Sequence, residues 1–368
     1  MGDTQPGASG RPAGRSSVHD VAREAGVSIA TVSRVLTGSR SVRKASADAV
    51  REAAAKLGYR PNHLGRALRR QSAQAIGMIV PRVDNPFFPS VVQAAERYLR
   101  SRGYALLLST SDDDPVIEGQ RVDMLVDRQV DGLLISPCHL TRSAAAIEDA
   151  ARHVPVVQLD RGTDHYNGDF VAVDDANGMQ QLVAHLRATG RRELAYIGGD
   201  GSSWSGAHRL EAFANLEPAA TGDDRILLGE FSEEWGSRGA RMLLSLSNPP
   251  DAILCGNDLI AIGVIMAAGE LGVRVPEDVA VTGYDDIDLA RVCRPAITTV
   301  HQPIRELTHQ AIDLLLARLE EPDRPATKVL LETRLIVRAS SIPPPAVTAS
   351  GPAPATDSRP DRRPRRSR

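Results

Sequence analysis

Residues 18–36, Val18-His19-Asp20-Val21-Ala22-Arg23-Glu24-Ala25-Gly26-Val27-Ser28-Ile29-Ala30-Thr31-Val32-Ser33-Arg34-Val35-Leu36, read as two short helices joined by a tight turn. Ser17 and Asp20 have the spacing of a reciprocal N-terminal cap. Val21, Ala22 and Ala25 repeat at helical spacing and predict an inner face. Gly26 can take the left-handed conformation that ends a helix, Val27 plugs the turn, and Ser28 is suited to cap the second helix. On that helix Val32, Val35 and Leu36 face inward, whereas Ile29, Ala30, Ser33, Arg34 and Thr37 face outward.

A helical hairpin of this kind presents its second helix to the DNA major groove, where N-terminal residues of the helix meet base edges. The candidate base readers are Ile29, Ala30 and Arg34. Arg34 can fork onto guanine O6 and N7, and the two apolar side chains suit a thymine methyl. Ser17, His19, Ser28, Thr31 and Ser33 are short polar groups suited to phosphates, which position a protein without reading sequence. A solvated helical hairpin with no ligand fits the same pattern.

Further along, a third helix is predicted from about Ser46 to Leu57, followed by Gly58-Tyr59-Arg60-Pro61-Asn62 and His63-Leu64-Gly65-Arg66-Ala67-Leu68-Arg69-Arg70. The order of these motifs resembles the lactose-repressor (LacI/GalR) family of bacterial transcription regulators, across nearly everything except the two tails. The resemblance implies that the segment after Pro61-Asn62 forms a hinge helix on operator DNA. Leu68 would wedge into the minor groove, with Asn62 and Arg66 beside it, and kink the site. Three departures stand out. Gly65 sits where such hinges usually carry Ala, which weakens the isolated hinge helix by roughly 0.5–1 kcal/mol. Arg43-Lys44-Ala45 replaces the usual Ser-Pro-Glu opening of the third helix, losing a cap and adding cations. Thr37 stands where Asn is common.

The formal charge of −2 over 368 residues hides an asymmetry. Residues 16–70 carry a net +7, residues 71–340 a net −14, and the last 28 residues a net +4. A basic head on an acidic body suits a polyanion bound at one end. The three cysteines, Cys138, Cys255 and Cys293, are far apart. They support neither a disulfide framework nor a zinc site, so no metal and no cofactor is expected. Without a secretory pattern or an apolar run near ~20 residues, a cytoplasmic protein with no membrane partner is expected.

Organisation follows from composition and periodicity. Residues 1–15 and 341–368 are Gly/Pro/Ser- or Pro/Ala/Arg-rich and are expected to be disordered. Residues 16–60 form the DNA-binding head and 61–72 the hinge. Residues 73–340 form an α/β core, in which buried strands alternate with helices, as parallel sheets covered on both faces require. The expected strands are Ala75–Val80, Tyr104–Ser109, Gly132–Ser136, Pro155–Leu159, Phe170–Val173, Leu194–Ile197, Ala252–Cys255 and Val279–Tyr284. About 270 residues exceeds one doubly wound unit, so two lobes are expected. The resemblance implies a core like that of periplasmic sugar-binding proteins, with one lobe over about 75–174 and 303–330 and the other over about 175–302 and 331–340.

Ligands bind doubly wound sheets at the carboxyl ends of their strands. Asp160, Arg161, Ser203, Ser205, Asn257 and Asp285 fall at such ends. Their chemistry suits a polyhydroxylated ligand, since carboxylates accept, guanidinium donates and Asn does both. Phe88, Phe231, Trp204 or Trp235 could face its ring. The resemblance makes Asp160, Arg209, Asn257 and Asp285 regular effector contacts. It makes Phe88, Arg161, Ser203, Ser205 and Phe231 positions that vary with the ligand. Asn257 and Asp285 also fit a plain role as helix caps, and Arg209 a structural ion pair.

No nucleophile elbow, metal pair or phosphate loop appears, and an enzyme is not expected. The expectation is a homodimeric, sequence-specific regulator, a repressor of carbohydrate genes released from a pseudo-palindromic operator by a sugar-like effector. The alternatives are a corepressed regulator and an architectural DNA-binding protein with a non-functional cleft.

Overall fold

A computed structural model describes residues 16–37, 42–59, 73–222 and 224–342. The hinge residues Asn62, Gly65, Arg66 and Leu68, residues 1–15 and residues 343–368 lie outside these; the tail expected from 341 starts too early, because Ser341 is fully buried and its hydroxyl pairs with Thr298 at 2.6 Å and His185 at 2.8 Å. The chain divides into two compact units, Met1–Gln74 and Ala75–Arg368.

In the first unit, helices α1 (Val18–Glu24), α2 (Ile29–Thr37) and α3 (Lys44–Lys56) enclose Val21, Ala22, Val32, Val50, Ala53 and Ala54. The cap at Ser17 forms in both directions. Its hydroxyl accepts from the Asp20 N–H, and the Asp20 carboxylate accepts from the Ser17 N–H at 2.9 Å. Gly26 ends α1 at φ +63°, and the Ser28 hydroxyl accepts from the Thr31 N–H at 3.2 Å. Arg43 supplies no side-chain cap to α3, as its substitution into the usual Ser-Pro-Glu opening implies.

The second unit holds two parallel sheets. One has six strands in the order Lys328–Leu331, Asp169–Val173 (β5), Val156–Leu159 (β4), Gly132–Ile135 (β3), Ala75–Val80 (β1) and Ala105–Thr110 (β2). The other has four, in the order Ile226–Gly229, Leu194–Gly199, Ala252–Cys255 and Ala280–Thr282. A short antiparallel pair, Thr299–His301 and Arg334–Ile336, accompanies them. Helix Ile304–Glu320 returns the chain to the six-stranded sheet, burying Leu307, Ala311, Ile312 and Leu315 in its core.

Two expectations need correction. The strand read as buried over Tyr104–Ser109 runs Ala105–Thr110 and is not buried. It is the outer strand of its sheet, and Leu107 and Leu108 are 37% and 44% exposed. Three consecutive leucines gave the pattern of an interior strand, but no described strand lies beyond this edge. The strand read over Val279–Tyr284 stops at Thr282, because the chain turns into Asp285 at φ +102°. Four short strands, over 226–229, 299–301, 328–331 and 334–336, were not anticipated.

Helices Glu233–Leu244 and Asp258–Glu270 pack at backbone contact. A Cβ on Gly263 would overlap the Glu233 carbonyl oxygen, and one on Gly236 would overlap the Ile260 carbonyl oxygen. Only glycine permits this approach.

Candidate functional site

On the first unit, α2 presents Ile29, Ala30 and Arg34 on its exposed face, while Val32 is fully buried beneath them. His19 is exposed on α1, and Ser33 is half-buried. Ser17 and Ser28 use their hydroxyls as caps. That fixes the positions of the two helix starts and still leaves lone pairs and backbone groups at the surface. The sequence-selected base and phosphate candidates thus share one compact hairpin.

In the second unit, Asn85, Phe87, Phe88, Asp160, Arg161, Ser205, Arg209, Phe231, Asn257, Asp285 and Gln302 converge on one pocket. Each arrives by a simple local route. Asp160 and Arg161 follow β4, with Asp160 held at φ +67°. Asn257 follows the strand ending at Cys255. Asp285 follows the strand ending at Thr282, at a backbone angle that costs non-glycine residues roughly 1–3 kcal/mol. Strain of this order persists only where surrounding contacts hold it.

Those contacts centre on Arg209, which is buried at the middle of a polar network. Its Nε donates to Asp175 at 2.8 Å, and its Nη1 donates to the Gly256 carbonyl at 2.7 Å and to Asp285 at 3.4 Å. Its guanidinium carbon lies 3.6 Å from the centre of the Tyr284 ring. Burial works against the Arg209 charge, but Asp175 and Asp285 outweigh it and hold its pKa above the usual value. Gln302 donates to Asp285 at 2.8 Å.

Burial dominates the two cleft carboxylates. It pushes Asp160 up to about 7 against the pull of Arg161 and Arg209, and Asp285 up to about 6 against Arg209. Their folded pKa values exceed the unfolded values, so the stability they contribute is complete below about pH 4 and is lost as pH rises through about 6–7. Replacing both with Asn is expected to flatten that part of the curve. Melting temperatures of parent and variant across pH 4–8 check this, and parallel curves would assign the pH dependence to other groups.

The structure separates the remaining candidates. Asn257 lines the pocket and also caps its helix, its side chain accepting from the Ile260 N–H at 3.0 Å. Asp285 lines the pocket and caps no helix. Ser203 caps its helix by accepting from the Gly206 N–H at 3.3 Å, and lies outside the lining. Phe88 and Phe231 reach the pocket. Trp204 instead stacks on His208 and meets Phe170 edge to face, and Trp235 packs over Gly229. Asp175 and Gln302 were not selected from the sequence. Asp175 opens a helix and looks like a first-turn acid, and Gln302 follows a strand too short to recognise.

Among the described residues no group of side chains could hold a metal ion, and no helix is long and apolar enough to cross a membrane.

Residues 17–62 match the family model of bacterial regulatory proteins of the lacI family, and residues 183–341 match that of the periplasmic binding protein-like domain. The HTH-type transcriptional repressor PurR of Glaesserella parasuis is 34% identical over 334 residues, covering 88% of this chain and 98% of the relative. PurR of Klebsiella pneumoniae is 31% identical over 329 residues, covering 88% and 96%. Among solved structures, a lac repressor dimer bound to operator and the anti-inducer ONPF superposes with a TM-score of 0.80 at 27% identity, covering 89% of this chain and all of that one. A complex of the transcriptional regulator CelR with cellobiose gives 0.66 at 29% identity, covering 89% and 100%. Head, core and near-complete coverage agree: the chain belongs to the lacI family of bacterial regulatory proteins, DNA-binding transcriptional regulators rather than enzymes.

Proposed function

We propose that this protein is a homodimeric repressor of carbohydrate or related metabolic genes, acting in the cytoplasm and released from its operator by a small polyhydroxylated effector. The observation that carries this reading is the convergence of Asp160, Arg161, Ser205, Arg209, Asn257 and Asp285 on one pocket that Phe88 and Phe231 also line. Carboxylates and Asn accept from paired hydroxyls, and Arg donates. Ile29, Ala30 and Arg34 read base edges, with Ser17, His19, Ser28, Thr31 and Ser33 near phosphates. Dimerisation covers the outer strand β2, whose exposed Leu107 and Leu108 form an edge that isolated proteins rarely leave open. Effector binding favours one arrangement of the core and changes the separation of the two hinge segments, so that Leu68 leaves the minor groove. Such coupling is typically worth 1–3 kcal/mol.

A second reading has support in the relatives named PurR: purine-related genes, and an effector with a planar ring between Phe88 and Phe231. Titrating the purified protein on its own upstream DNA with a panel of sugars and purines separates these readings. Release by a sugar is the expected result, whereas tightening by a ligand reverses the sign to corepression. In the same assay Leu68→Ala is expected to weaken operator binding well beyond non-specific binding. Equal losses on both DNAs would remove the wedge, and sequence-blind binding without a ligand effect would favour the architectural alternative.

A further inference from the structure

The guanidinium of Arg161 is the least satisfied charge in the cleft. The residue is 7% exposed, and its Nε is buried without a hydrogen-bond partner. Its nearest carboxylates, Asp113 and Asp160, lie 3.8 and 3.9 Å away, beyond hydrogen-bond reach. Two aromatic rings also lie against it, Phe88 at 5.3 Å and Phe231 at 5.8 Å, measured to the ring centres. Arg209, in contrast, is fully engaged by Asp175, Asp285 and the Gly256 carbonyl. The two arginines therefore have different tasks. Arg209 is a fixed part of the wall, and Arg161 is a buried donor fork still lacking an acceptor.

A buried guanidinium whose N–H groups lack acceptors is costly even with carboxylates nearby, and an acceptor that completes its hydrogen bonding recovers part of that cost. A guanidinium suits an oxyanion, because its planar fork matches a carboxylate or phosphate bidentately.

We infer that the effector is an acidic sugar whose carboxylate or phosphate pairs with Arg161 beside Phe88 and Phe231. The inference rests on the effector reading above and narrows it. The hydroxyls of such a ligand meet Asp160, Asn257 and Asp285, while its anionic group supplies the acceptor that Arg161 lacks.

The test uses the full chain and defined probes in calorimetry: neutral hexoses, the matching hexuronates and aldonates, hexose 6-phosphates, and purine bases. At least one acidic sugar is expected to bind better than its neutral parent, with the uronate and phosphate arms identifying the source of the charge. Arg161→Gln should weaken that ligand by about thirty-fold or more, as for truncating one partner of a buried charge pair, with Arg161→Lys recovering part of the loss. The melting temperature of each variant establishes that it folds, and the preference of the parent protein for acid over neutral sugar needs no variant. A neutral sugar or purine binding better than every acidic probe would overturn the inference, as would an Arg161→Gln variant that binds the acidic ligand equally or more tightly. If a neutral sugar binds and Asp285→Ala abolishes it, the effector reading survives and only the acidic group is lost. Failure of every sugar, neutral and acidic, would overturn both.

Discussion

Arg209→Met is expected to destabilise the core by about 3–5 kcal/mol, the range for removing one partner of a buried ion pair. Asp175 and Asp285, both nearly inaccessible to water, would each lose the guanidinium that faces them, and the Gly256 carbonyl would lose a donor. The Tyr284 ring, now covered by the guanidinium at 3.6 Å, would lose its packing partner. The cost belongs to the stranded carboxylates more than to the missing arginine, and this can be separated experimentally. The triple variant Arg209→Met, Asp175→Asn, Asp285→Asn should recover much of the loss in urea-denaturation midpoint. A single variant within 1 kcal/mol of the parent would mean that water reaches the carboxylates readily and that the network is weaker than its geometry suggests.

Gly263→Ala should destabilise by at least about 2–3 kcal/mol, toward the upper end for overpacked cores. The added methyl would meet the backbone of the neighbouring helix at the Glu233 carbonyl, not a movable side chain, so the two helices must separate. Gly269→Ala is the control on the same helix. Nothing lies within 4 Å of its Cβ position, and replacing this glycine in the last turn of the helix should stabilise by at most roughly 0.5–1 kcal/mol. Thermal melts of the two variants should therefore move in opposite directions. A Gly263→Ala variant as stable as the parent would mean that the helices are not held at backbone contact.

Much of this architecture is legible in the sequence because its strands are buried on both faces. Runs such as Ala75–Val80 and Ala252–Cys255 are continuous apolar segments, with helical periodicity between them. Legibility ends where a strand is short or lies at an edge. Thr299–His301 has three residues and shows no period, so Gln302, which it delivers to the cleft, was invisible. Lys328–Leu331 borders solvent and alternates in exposure, so it resembles a loop with apolar residues. In the cleft, residue types that follow strand ends were found readily, but two local roles compete at such positions. Ser203 caps a helix outside the lining, and Asn257 caps one while remaining inside it. Asp175 escaped notice for a different reason. Its partner Arg209 is 34 residues away in sequence, and nothing local marks an acid at a helix start as the holder of a distant guanidinium. The capping box at Ser17 and Asp20, by contrast, is wholly local and was fully readable.

The space left between the sheets has a kinetic consequence. With Arg161 seated against Phe88 and Phe231, the free volume of the pocket is about 10 Å³, room for about one water molecule. A sugar-sized molecule does not fit in this arrangement, so the walls must part first, a unimolecular event whose frequency does not depend on metabolite concentration. Apparent affinity is then scaled by the fraction of time the walls stand apart. At high metabolite levels the speed of the genetic response is set by the motion of the protein rather than by the supply of the signal.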